Sequence, residues 1–223
     1  MIISPQLIIS AGMPAAGKTI TCQEIAKRII NAVYFDRDII ISGGLMHIAA
    51  DKGDGLLSFN EYIKDEPFFE VETPFGRMIK MGWDMDYYFR HADAPSRIII
   101  GNQAAHSLKL GKVPIFDCFL AQHVNGGIVE KFMSWEIFSG YPIKLLYFIV
   151  DQDVCGERLA ARAEIDEEAR LRTKILQDSL EEQLQTYHTL NDEGEKFVQK
   201  TGKFIDTTNN SIEECVEECL QYI

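Results

Sequence analysis

The sequence predicts an α/β fold built on a parallel sheet, and three observations predict it. Short apolar runs recur along the chain, helical patterns separate them, and the glycine-rich stretch Gly12-Met13-Pro14-Ala15-Ala16-Gly17-Lys18-Thr19 stands between the first run and the first helix. Runs of four to eight apolar residues that alternate with helices read as strands buried on both faces and joined by crossover helices.

The first strand is Leu7 to Ser10, and the helix after the glycine-rich stretch runs from Lys18 to Asn31. Val33-Tyr34-Phe35 reads as the second strand. From Ser42 to Arg97 the alternation stops and aromatic residues crowd in: Phe59, Tyr62, Phe68, Phe69, Phe75, Trp83, Tyr87, Tyr88 and Phe89. A bare loop of that length is out of place in a compact domain, so short helices are expected there. A helix from Gln103 to Lys112 leads into the third strand, Val113-Pro114-Ile115-Phe116, which ends on Asp117. Beyond it come a helix over Gln122 to Phe138, a strand from Leu145 to Val150, and helices over Asp153 to Glu164 and Glu167 to Leu190. The chain closes with the strand Phe204-Ile205 and a helix from Ser211 to Tyr222, where Ser211 and Glu214 have the spacing of a capping box.

A chain of 223 residues fits one domain over 1–223 that carries a long insertion. With 22 Lys+Arg against 34 Asp+Glu the net charge is −12, which gives no general field for a nucleic-acid backbone or an anionic lipid surface. Nucleic acid is therefore disfavoured as a partner. The apolar runs fall well short of the ~20 residues that span a bilayer, and the first residues lack a basic start, so no membrane association is expected. Five cysteines without a Cys-x-x-Cys pair suggest neither a disulfide framework nor a zinc site, and a cytoplasmic address follows.

The stretch Gly12 to Thr19 matches Gly-x-x-x-x-Gly-Lys-[Ser/Thr] in full and has the strand-then-helix context that motif requires. Its glycines let successive backbone N–H groups face inward, and the helix that opens there points its partial positive end at the same spot. Residues Gly12, Met13, Pro14, Ala15, Ala16, Gly17, Lys18 and Thr19 thus form a candidate cradle for nucleotide phosphates. Lys18 would place its charge on the outer phosphates, and the Thr19 hydroxyl would ligate Mg²⁺. Asp117, at the carboxyl end of an apolar strand, is the second candidate for the magnesium shell.

The chemistry expected is transfer more than hydrolysis. No Asn-Lys-x-Asp base-reading segment of a GTPase is found, and Cys118 follows the strand-end Asp117 where an ATP-driven motor usually places Glu. After the second strand, Asp36-Arg37-Asp38 offers carboxylates where ligands bind in open α/β sheets. Asp38 is the candidate base for an acceptor hydroxyl, with Asp36 as its competitor because strand alternation would turn both to similar sides. Either could instead cap a helix. Arg158 and Arg162 lie four apart on one helix face, and Arg170 and Arg172 follow in an acidic stretch. Such arginines suit a lid that closes over phosphates, and a solvated helix face is the alternative.

These residues resemble the P-loop kinase superfamily over roughly residues 6–42 and 97–223. Arg37-Asp38 and the strand ending in Asp117 resemble its polynucleotide-kinase and zeta-toxin branch. The C-terminal third resembles adenylate kinases at Glu157 to Arg162, at Leu184-Gln185-Thr186-Tyr187-His188 and at Phe204-Ile205-Asp206-Thr207. The resemblance implies a three-layer α/β/α fold with a five-stranded sheet of order 2-3-1-4-5. It also implies a lid after strand four, at about 163–175, with Arg158 at the adenine and Arg162 at the phosphates. Adenylate kinases carry Asp-Gly-Phe-Pro-Arg at the third strand. Here the segment is Asp117-Cys118-Phe119-Leu120-Ala121, and Gln183 stands in place of a further phosphate-binding arginine, so AMP is not the expected acceptor.

The expected function is an ATP- and Mg²⁺-dependent phosphotransferase acting on a hydroxyl of a small molecule, nucleoside or nucleotide. Lys18, Asp38, Arg162, Arg170 and Arg172 are its candidate catalytic residues, and the insertion at about 43–97 would grip the acceptor. Two rivals stand beside it: a polynucleotide 5′-hydroxyl kinase, and a protein that holds ATP without turnover and contacts a partner.

Overall fold

In the computed structural model the residues described are 1–40, 94–165 and 189–223. Most of the 43–97 insertion, the larger part of the 163–175 lid, the helix expected over Glu167 to Leu190, and Arg170 and Arg172 lie outside them, as do the side chains of Asp38 and Arg162. Along the described chain the elements are β1 (Leu7–Gly12), α1 (Lys18–Arg28), β2 (Ala32–Asp36), α2 (Arg37–Ile40), α3 (Ala94–Lys109), β3 (Val113–Phe119), α4 (Ala121–Asn125), α5 (Ile128–Met133), a 3-10 turn (Glu136–Phe138), β4 (Ile143–Ile149), α6 (Gln152–Ile165), α7 (Asp192–Thr201), β5 (Gly202–Asp206) and α8 (Ile212–Tyr222).

The five strands form one parallel sheet of order β2-β3-β1-β4-β5, the order the resemblance implied. Alternate residues of β1 serve opposite layers, as the period of a strand dictates. Leu7, Ile9 and Ala11 pack with Phe116, Leu145 and Tyr147 under one layer, while Ile8 packs with Ile115, Leu146, Phe148 and residues Cys22, Ile25, Val216 and Cys219 of α1 and α8. All six residues of β1 are buried, so the near-continuous apolar run in the sequence reflects a strand covered on both faces.

The helix expected over Gln122 to Phe138 is instead broken into α4, α5 and the 3-10 turn. Gly126-Gly127 is the cause: Gly127 adopts φ 68°, a left-handed conformation that no helix continues through. A second break follows α5, where Trp135 is extended, and there Phe132, Trp135 and Phe138 form one aromatic cluster, with Phe132 4.7 Å from Trp135 and 5.3 Å from Phe138 between ring centroids. The helix before β3 begins at Ala94, earlier than the pattern from Gln103 suggested, and takes the last residues of the expected insertion. Helix α7 was not anticipated, because Phe197 and Val198 alone are too few apolar side chains to set a helical repeat. Its start is capped by the Asn191 side chain, which accepts from the Gly194 amide.

Candidate functional site

The glycine-rich stretch links the end of β1 to the start of α1, at the carboxyl edge of the central strand. Gly12 sits at φ 138°, and a Cβ there would fall 2.1 Å from the Phe148 carbonyl oxygen of β4, so only glycine lets the chain leave the sheet at this point. Gly17 caps α1 at φ 75°, and no side chain among the described residues caps that end. The contrast with Asn191 on α7 and Ser211 on α8 is direct. No acidic residue lies in the first turn of α1, so its opening amides and the positive end of its dipole are aimed where an anion is favoured. Lys18 lies across the loop, and its ammonium donates to the carbonyls of Met13 at 2.6 Å and Gly12 at 3.2 Å. Thr19 is exposed on the first turn.

Asp117 is nearly buried on β3, level with Ser10 of β1 and Asp36 of β2. The three residues therefore share the sheet face that α1 covers. Ser10 Oγ donates to Asp117 Oδ1 at 2.6 Å, and the Tyr34 hydroxyl donates to Oδ2 at 3.1 Å. Burial, followed by the charges of Asp117 and Asp36, pushes the Tyr34 hydroxyl well above its ordinary value, so it remains a donor. Burial, then the nearby Asp117 charge, likewise raises the Cys22 thiol and keeps it neutral. Sequence reasoning did not single out Ser10 or Tyr34. Each reads as an ordinary strand residue until the register shows its neighbours.

β2 ends at Asp36 and α2 begins at Arg37. The strand alternation that was expected to turn Asp36 and Asp38 alike therefore stops between them. Asp36 keeps its place beside Asp117, and Asp38 belongs to the helical turn that follows.

On the other flank, Arg158 of α6 ties three parts of the site together. Its guanidinium donates to the Thr207 carbonyl at 2.5 Å, to Thr207 Oγ1 at 3.0 Å and to the Ala15 carbonyl in the loop at 3.4 Å. Cys155, one turn earlier, donates to the Pro14 carbonyl at 3.4 Å. The loop is thus buttressed from α6 and from the residues after β5. Arg162 lies one turn further along α6.

Thr19, Asp117 and Asp36 offer hydroxyl and carboxylate oxygens, the donor type Mg²⁺ takes, and Mg²⁺ is usually held by one or two carboxylates with phosphates and water supplying the rest. Among the described residues no group of three or more His, Cys, Asp or Glu forms a dense metal cage. The oxygen donors present fit the donor type of a magnesium ion.

The chain matches no protein-family model and no curated protein sequence. Among solved structures it is similar to a sugar kinase from a Janibacter species, at 15% identity and a TM-score of 0.52 over 98% of this chain and 94% of that one. It is similar also to a gluconokinase from Sinorhizobium meliloti, at 16% identity and a TM-score of 0.52 over 97% and 90% of the two chains. Sheet order and glycine-rich loop together define a P-loop fold. In its fold the chain is similar to those two kinases over nearly its whole length.

Proposed function

We propose that this chain is an ATP- and Mg²⁺-dependent phosphotransferase that moves the γ-phosphate of ATP to a hydroxyl of a small molecule, nucleoside or nucleotide. The observation that carries the reading is the loop from Gly12 to Thr19, with its helix end open to an anion and its lysine in place, set beside the buried Asp117. Backbone amides of the loop and the Lys18 ammonium bind and orient the β- and γ-phosphates. Thr19 and Asp117 hold the magnesium shell, with Asp36 adjoining. The bound ion supplies charge neutralisation at the phosphate oxygens. Asp38 accepts the proton of the acceptor hydroxyl as it attacks, and Arg162, with Arg170 or Arg172, steadies the charge on the group in transit. Arg158 lies at the base side of the nucleotide. The segment at about 43–97 binds the acceptor, and a reducing cytoplasm is the setting.

The test is phosphate transfer from Mg·ATP to panels of sugars, nucleosides, nucleotides and 5′-hydroxyl oligonucleotides. Lys18→Ala should remove most activity. Asp38→Asn should lower kcat by roughly 10²–10⁴-fold, while Asp36→Asn should act chiefly on the magnesium requirement. If wild type and Asp38→Asn turn over equally, Asp38 is not the base. If ATP binds but no acceptor is phosphorylated, the enzyme reading falls.

A further inference from the structure

Asp117 is held at both of its oxygens, and the two donors come from the strands on either side. Ser10 of β1 is paired with Asp117 in the register, so its short hydroxyl reaches Oδ1 directly, at 2.6 Å. Tyr34 of β2 is paired with Ile115, two residues before Asp117. Two residues of strand are about 7 Å, a gap that a phenol spans along the face of the sheet and a serine or threonine does not. The Tyr34 hydroxyl meets Oδ2 at 3.1 Å, while its ring packs against the apolar cluster beneath α1.

A carboxylate has about four acceptor positions. Two are taken here by side-chain hydroxyls, one on each oxygen, which fixes the plane of the group and leaves one position per oxygen for a metal-bound water or the metal itself. A lone buried carboxylate would have to select that orientation from several on every binding event. Groups that orient a metal ligand from behind commonly set its affinity by an order of magnitude or more.

We propose that Ser10 and Tyr34 are positioning residues, a two-hydroxyl clamp that presets Asp117 for the divalent cation accompanying the nucleotide. The proposal rests on the reading of Asp117 as part of the magnesium shell. Tyr34→Phe keeps the ring and removes only the hydroxyl, and Ser10→Ala removes the other donor.

The experiment is Mn²⁺ binding to the purified protein with saturating ADP, followed by electron paramagnetic resonance, alongside binding of a fluorescent ADP in EDTA. Each variant should bind Mn²⁺ roughly 10-fold more weakly than wild type, with metal-free ADP affinity within about twofold of wild type and kcat recovering at high Mg²⁺. A purely structural role would lower the melting temperature and leave Mn²⁺ affinity alone. If Tyr34→Phe does not fold, Ser10→Ala decides by itself, and either folded variant at wild-type Mn²⁺ affinity overturns the clamp. Failure of the wild-type ADP complex to take up Mn²⁺ would instead overturn the magnesium reading of Asp117, and the clamp with it.

Discussion

Gly12 is the residue at which the loop tolerates least change. Its φ of 138° and the 2.1 Å approach of a Cβ to the Phe148 carbonyl oxygen oppose any side chain by two separate routes, conformation and contact. Gly12→Ala should lower stability by about 2–4 kcal/mol and weaken nucleotide binding in whatever fraction folds, as thermal melts and titration with fluorescent ATP would show. Arg158 makes the opposite kind of prediction. It bonds Thr207 and Ala15 through a planar fork, so Arg158→Ala should weaken ATP binding roughly 10-fold, the equivalent of about 1.4 kcal/mol. Arg158→Lys should rescue little, because an ammonium cannot reproduce the fork. An Arg158→Lys protein with wild-type affinity would show that charge alone is at work. Of these residues the glycine-rich motif announces Gly12, and its helix pattern announces Arg158. Nothing local announces Tyr34, whose partner lies 83 positions away in sequence.

At the scale of elements, those defined by local chemistry were legible and those defined by packing were not. The cap of α8 is an example of the first kind. Ser211 Oγ accepts from the Glu214 amide while the Glu214 carboxylate accepts from the Ser211 amide and hydroxyl. Ser211→Ala should cost about 1 kcal/mol in a denaturant titration. The Ser211 hydrogen bonds hold the Glu214 carboxyl below its ordinary value of 4.5. A group depressed in the folded state stabilises it above the unfolded value, and that contribution is lost as pH falls through the folded one. The melting-temperature advantage of wild type over Glu214→Gln should therefore be present near about pH 7 and fade below about pH 4.5. An advantage unchanged at about pH 3 would mean that the carboxylate charge is not what the cap uses. The break after α5 belongs to the second kind. Apolar spacing from Gln122 to Phe138 looks helical, yet the chain turns extended at Trp135, where Phe132, Trp135 and Phe138 pack together.

For the molecule as a whole, the parallel sheet was legible because burial on both faces forces apolar runs, and the loop was legible because its backbone takes positive φ at Gly12 and Gly17, where glycine is favoured. Strand order is less local. Only the resemblance implied it, and it decides that β1 lies between β3 and β4, so that the loop, Asp117 and the Arg158 buttress converge at one edge. That convergence predicts that nucleotide binding is felt by the entire fold. A ligand at 100 times its Kd stabilises a protein by about 2.7 kcal/mol when it binds only the native state, and a chain of this size gains roughly 2–4 °C per kcal/mol. Magnesium with a non-hydrolysable ATP analogue should thus raise the melting temperature by roughly 5–10 °C. Measured against its own unliganded melting temperature, Lys18→Ala should lose most of that rise, since the ammonium sits on the loop itself, on the carbonyls of Met13 and Gly12. A rise of equal size in wild type and Lys18→Ala would place the nucleotide elsewhere on the protein.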